Sequence, residues 1–148
     1  MGHRMPRWIM EATQEYLQRM PREYPVELIE IKPDSRTTGR TTEQILEAES
    51  HRILTHVGEM PAYALDERGQ CWTTMDLATT LQNTQRDASD LCFIIGSADG
   101  LHQRIKTQAR GLVALSRMTL PHGMVRVILS EQLYRASMVL KGHPYHRE

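Results

Sequence analysis

Apolar residues recur at three- to four-residue spacing between Met5 and Met20, at Trp8, Ile9, Ala12, Tyr16, Leu17 and Met20. That period predicts an amphipathic helix, opened by Pro6 and ended by Pro21. Val26 to Ile31 reads Val-Glu-Leu-Ile-Glu-Ile and runs into Lys-Pro-Asp-Ser-Arg-Thr-Thr-Gly, which predicts a strand followed by a long loop. Thr41 with Gln44 forms a capping-box pattern for a second helix, with Ile45, Leu46, Ile53 and Val57 on its inner face and Gly58 closing it.

Ala62 to Leu65 suggests the next strand, Asp66-Glu67-Arg68-Gly69 a turn, and Thr73 with Asp76 the start of a helix through Leu77 and Leu81. Leu91 to Ile95 is a continuous apolar run entering Gly96-Ser97-Ala98-Asp99-Gly100; a short helix and a second apolar run, Leu112 to Leu115, follow. After the loop from Ser116 to Leu120, Pro121 opens a last helix that buries Val125, Ile128, Leu129, Leu133 and Ala136 and stops near Gly142. Strand and helix thus alternate, and continuous apolar strands are those covered on both faces of a parallel sheet. The predicted class is α/β, in a single domain over residues 1–148. Ligands of such folds lie beyond the C-terminal ends of the strands, here the loops after Leu65, Ile95 and Leu115.

Composition narrows the class only slightly. With 40% hydrophobic and 24% charged residues, the chain reads as a folded soluble protein, and no apolar run is long enough to span a membrane. The N-terminal residues lack the apolar core of a secretory signal, which predicts a cytoplasmic location. Two cysteines are too few for a disulfide framework, and Cys92 reads as a small buried hydrophobe. The net charge of +0 conceals an uneven distribution. Residues 1–100 hold 10 Lys/Arg against 16 Asp/Glu, whereas residues 101–148 hold 8 against 2. The basic residues of that last third, interleaved with Tyr134 and Tyr145, suit phosphates and unpaired bases, but equally an ordinary solvated face or a surface matched to the acidic part of the same molecule.

Gly96 to Gly100 is neither a dinucleotide-binding fingerprint nor a phosphate loop, and by itself reads first as a tight turn. His143 and His146 stand three apart in a Pro-containing tail that offers no third ligand, so no metal is expected.

Met-Thr-Leu-Pro-His-Gly-Met-Val-Arg-Val (118–127), Glu-Gln-Leu-Tyr-Arg-Ala (131–136) and His-Pro-Tyr-His-Arg (143–147) together resemble one family closely. This is the RlmH family, small SPOUT-superfamily methyltransferases that use S-adenosyl-L-methionine to methylate N3 of a pseudouridine in large-subunit (23S) ribosomal RNA. The resemblance extends through Arg4-Met5-Pro6-Arg7-Trp8, Glu27 to Ile31, Leu65-Asp66 and Trp72-Thr73-Thr74, in order along nearly the whole chain. It implies a SPOUT-type parallel sheet flanked by helices, with a deep trefoil knot near the C-terminus in which the cofactor binds. By correspondence, cofactor contacts fall on Leu65, Gly96, Leu115, Ser116, Arg117, Met118, Thr119 and Leu120. The resemblance also implies a homodimer, in which the tail of one subunit meets ribosomal RNA beside the other's cofactor. Arg126, Arg135, His143 and Arg147 are the expected RNA contacts. His146 is the candidate to accept the N3 proton, Tyr145 to stack or hydrogen-bond, and Arg147 to hold phosphate. His122, just after Pro121, is expected to shape the knot rather than take part in the chemistry.

Two departures stand out. Ser97 occupies a place where the family usually has glycine, and the family carries a hydrophobic strand before the position of Met1-Gly2. The expectation is a domain short of that first strand. The competing expectation for function is a dimeric, RNA-binding relative with weak or no turnover.

Overall fold

The computed structural model describes residues 5–36 and 39–147, with the backbone alone for His146 and Arg147. In order along the chain are α1 (Arg7–Gln18), α2 (Thr42–Val57), β1 (Ala62–Cys71), α3 (Thr74–Arg86), β2 (Cys92–Ile94), α4 (Gln103–Gln108), β3 (Gly111–Ala114) and α5 (His122–Leu140), followed by a 3₁₀ turn over Pro144–Arg147. None of these helices is long and apolar enough to cross a membrane.

The helix starts follow local chemistry. At α2, the Gln44 N–H donates to Thr41 Oγ1 at 3.2 Å while the Thr41 N–H donates to Gln44 Oε1 at 3.0 Å. At α3, the Thr73 N–H and the Asp76 carboxylate close the same reciprocal pair at 2.7 Å. Each box satisfies two N–H groups that a helix start leaves unpaired.

The three strands are parallel in the order β2-β1-β3. Their alternating side chains separate two cores. Ala62, Ala64, Cys92, Ile94 and Leu112 face Ile53, Leu54 and Val57 of α2 and Ile105 of α4. Leu65, Phe93, Ile95 and Leu115 face Leu77, Ala78 and Leu81 of α3 and Leu129, Leu133 and Ala136 of α5. Helices therefore cover both faces, as the continuous apolar strands required.

Two sequence expectations are corrected. Residues 66–69 do not end the strand as a turn. Leu65 and Gln70 both stand opposite Val113, so β1 absorbs four residues as a bulge and resumes pairing, with Cys71 opposite Ala114. Gly69 permits this, because a Cβ there would lie 2.5 Å from the Leu112 carbonyl carbon. No periodicity encodes such a bulge; it depends on how closely a separate strand approaches.

Val26 to Ile31 is likewise not a strand. The segment is without regular structure, and none of the backbone hydrogen bonds found among the described residues involves it. Side chains pin it instead: Glu30 pairs with Arg126 at 2.9 Å, and Arg52 donates to the Lys32 carbonyl at 2.9 Å. Branched residues favour a strand only where a neighbouring strand supplies the ladder. Leu28 and Ile29 remain 44% and 48% exposed. Backbone amides of residues 26–31 are expected to exchange with deuterium far faster than those of residues 62–65, a contrast that hydrogen-exchange mass spectrometry resolves directly.

Candidate active site

Strand register aligns Leu65, Gly96 and Leu115, although Leu65 precedes the bulge inside β1 rather than ending it. Ala64 pairs with Ile94 and Leu65 with Val113. Gly96 therefore stands two residues beyond β1's partner in β2, and Leu115 two beyond its partner in β3. On the α3/α5 face of this end lies a cleft of about 290 Å³ lined by residues that include Leu65, Trp72, Thr74, Phe93, Leu115 and Gln132. Eight of its eleven lining residues are apolar or aromatic, with Trp72 edge-on to Phe93 at a centroid distance of 6.4 Å, and Thr73, Thr74 and Gln132 supply polar groups. That is the usual make-up of a small-molecule site. Leu65 and Leu115 line the cleft; Gly96 and residues 116–120 are not among its lining residues and form loops at the same end of the sheet.

Gly96 is held tightly, because a Cβ would fall 2.7 Å from the carbonyl carbon and oxygen of Gly100. The neighbouring Ser97 hydroxyl is buried and makes no hydrogen bond among the described residues. An unbonded buried hydroxyl is costly, and a bound group could satisfy it.

Residues 116–120 are fixed from two sides. Ser116 Oγ accepts from the Met118 N–H at 2.9 Å, and the Thr119 hydroxyl donates to Glu67 Oε2 at 2.7 Å, tying the loop to the β1 bulge. The bulge is anchored in turn by Lys106 of α4, whose ammonium lies 2.7 Å from Asp66. Burial pushes the Asp66 carboxyl up, but the hydrogen bonds from Lys106 and the Arg68 N–H, with the fields of both cations, outweigh it and hold the group below the usual carboxylate range. The Thr119–Glu67 and Lys106–Asp66 contacts are not legible in the sequence, since their partners are 52 and 40 residues apart.

The tail packs on α5 through a second network. Arg135 Nε and Nη2 both donate to Glu131 Oε1 at 2.8 Å, the Tyr145 hydroxyl donates to the same oxygen at 3.3 Å, and the Arg135 guanidinium lies 4.9 Å from the Tyr145 ring centre. Tyr145 is also edge-on to Tyr134 at 4.6 Å. On the other side Gln132 donates to Glu131 Oε2 at 2.7 Å and accepts from the Thr74 hydroxyl at 2.7 Å. Gln132 lines the cleft, so a chain of hydrogen bonds connects cleft and tail. Sequence reading missed Gln132 and Glu131; a polar pair set among the apolar positions of α5 was the available signal.

Burial, and then the charge of Glu131, push the Tyr145 phenol up to about 12. It is therefore a neutral hydroxyl at physiological pH. Because the folded value lies above the ordinary one near 10, this contribution to stability is complete below about pH 10 and is lost as pH rises towards 12. Ultraviolet titration of the folded protein is expected to show a phenolate step near pH 12 that Tyr145→Phe removes.

The expected RNA contacts are engaged within the molecule. Arg126 pairs with Glu30, Arg135 with Glu131, and His143 Nδ1 accepts from the Tyr145 N–H at 3.2 Å. The side chains of His146 and Arg147 lie outside the described residues. Exposed His122 opens α5. Burial pushes the Cys92 thiol up, away from a reactive thiolate.

A family model described as "Predicted SPOUT methyltransferase" matches residues 1–146. Among similar proteins, the "Ribosomal RNA large subunit methyltransferase H" of Methylobacillus flagellatus is 51% identical over 147 residues, covering 99% of this chain and 95% of the relative. The proteins of the same name from Nitrosospira multiformis and Burkholderia lata are 49% and 50% identical, each over 99% of this chain and 94% of its own length. With a match across nearly every residue and a parallel sheet whose strand ends converge on a cleft, this chain belongs to the SPOUT methyltransferase family.

Proposed function

We propose that this protein transfers the methyl group of S-adenosylmethionine to N3 of a pseudouridine in large-subunit ribosomal RNA, acting in the cytoplasm as a homodimer with a trefoil-knotted C-terminal region. The observation that carries this reading is the 51% identity, over 99% of the chain, to a protein named for methylating that RNA. The residues present fit the donor: Leu65, Leu115, Phe93 and Trp72 supply apolar and aromatic walls for a flat base, and the unbonded Ser97 hydroxyl can meet a polar group. When bound, the sulfonium supplies an activated methyl group.

The chain's own task is to orient and deprotonate. N3 of the base gains a bond to carbon as its N–H bond breaks, and a base must take the proton. His146 is assigned that role, since an imidazole is largely unprotonated at neutral pH. Tyr145, held neutral by burial and then by the charge of Glu131, can donate a hydrogen bond or stack but cannot take a proton. Arg147 is assigned to phosphate. Trp8 of α1 is 54% exposed, a large apolar side chain suited to burial against a second copy.

The test is restoration of the methyl mark on ribosomal RNA in a bacterial strain lacking its own enzyme, read by mass spectrometry of RNA digests. Appearance of the mark at N3 of pseudouridine is expected. Its absence, with the RNA still bound, would favour an RNA-binding relative without turnover.

A further inference from the structure

Consecutive positions on an α-helix point about 100° apart, so neighbouring side chains ordinarily serve different faces and do not meet. Glu131 and Gln132 of α5 do meet. The Gln132 Nε2 amide donates to Glu131 Oε2 at 2.7 Å, and each residue reaches a different neighbour with its remaining oxygen. Gln132 Oε1 accepts from the Thr74 hydroxyl of α3 at 2.7 Å, on the cleft wall that both residues line. Glu131 Oε1 accepts from Arg135 Nε at 2.8 Å and from the Tyr145 hydroxyl at 3.3 Å, and Arg135 Nη1 donates to the Tyr145 carbonyl at 3.4 Å.

A carboxylate only accepts, so the amide has one orientation: Nε2 faces Glu131 and Oε1 faces Thr74. With one oxygen held by Gln132, the Glu131 carboxylate presents the other to Arg135 and Tyr145. The Glu131 and Arg135 side chains are 17% and 22% exposed, which limits competition from water, and a satisfied network of this kind is stiff. At the cleft, a hydroxyl oxygen and an amide have further capacity to bond a ligand. A polar group entering the cleft therefore acts on the same amide that holds Glu131.

We propose that Gln132 is a positioning residue for methyl transfer, coupling a ligand in the cleft to the order of the tail through Glu131 and Tyr145. This rests on the methyltransferase reading for the identity of the ligand and for the tail's part in the reaction; the connection itself is made by the hydrogen bonds. Such coupling is reciprocal, so a ligand that orders the tail binds more tightly when the tail is ordered.

The test is hydrogen-exchange mass spectrometry of the full chain, alone and with saturating S-adenosylhomocysteine, the demethylated form of the donor, whose binding is followed by calorimetry. Gln132→Met keeps the length of the side chain and removes both hydrogen bonds, whereas Thr74→Val removes only the bond at the cleft. In wild type the ligand is expected to slow exchange at residues 141–147 several-fold. Without ligand, Gln132→Met should exchange there several-fold faster than wild type, with residues 62–65 unchanged, and its tail should not respond to ligand. Thr74→Val should keep the wild-type tail when empty and lose most of the response. A merely structural Gln132 would loosen tail and strands together, or leave the ligand response intact, and either result would overturn the proposal. Wild-type tail exchange in empty Gln132→Met would overturn it too, as would a wild-type tail that ignores bound ligand. Failure of S-adenosylhomocysteine to bind would count against the methyl-donor reading alone, because the ligand-free comparison still decides whether Gln132 orders the tail.

Discussion

Replacing His146 with alanine is expected to slow a single turnover of methyl transfer by about a hundredfold to ten-thousandfold, the usual contribution of a positioned general base. Neither Tyr145 nor Glu131 can substitute. Tyr145, the adjacent residue, keeps its proton up to about pH 12, and Glu131 is occupied by Arg135, Gln132 and Tyr145 itself. Single-turnover rates measured with saturating donor and RNA provide the check. A variant that methylates at the wild-type rate would remove His146 from the chemistry. The tail's backbone is packed on α5 by the Tyr145 contacts to Glu131, Arg135 and Tyr134.

Gly69→Ala is expected to be the most damaging single methyl addition to the fold. Its Cβ would sit 2.5 Å from Leu112 C and 2.6 Å from both Leu112 O and Val113 N, all backbone atoms that no rotamer change can move. Relief requires β1 and β3 to separate, which would strain the register that places Leu65 opposite Val113. A loss of about 3 kcal/mol is expected, at the upper end of the usual cost of overpacking. For a chain of this size that lowers the melting temperature by roughly 6–12 °C. Differential scanning calorimetry reads it, and a melting point within a degree of wild type would show that the bulge adapts. Because the bulge also carries Asp66 and Glu67, and Glu67 ties down the loop at residues 116–120, donor affinity should fall in this variant as well.

Much of the architecture is local and therefore legible. The capping boxes at Thr41/Gln44 and Thr73/Asp76 form as their spacing implies, because each involves residues three apart whose contact is made as the helix begins. The run 91–95 contains β2 and the run 112–115 covers all of β3 but Gly111, since a strand covered on both faces must be apolar. Alternation within Ala62 to Leu65 separates the two cores. The Met-Thr-Leu-Pro-His and His-Pro-Tyr-His-Arg segments carry the family, which the match over residues 1–146 bears out.

What tertiary structure alone decides is everything that depends on a distant partner. Val26 to Ile31 has the composition of a strand but has no ladder, because strand formation belongs to a pair of segments and not to one. The bulge at 66–69 looks like a turn until β3 is present to receive Gln70 and Cys71. The basic C-terminal third looks like an RNA surface in sequence, yet long-range ion pairs with Asp66, Glu30 and Glu23 remove much of its charge from use. The sequence by itself therefore determined the helices, the parallel strands and the family, which rest on short-range periodicity and on motifs. Folding decided which residues meet at the cleft and which cations are paired within the molecule, because both are set by contacts across tens of residues that no local pattern records.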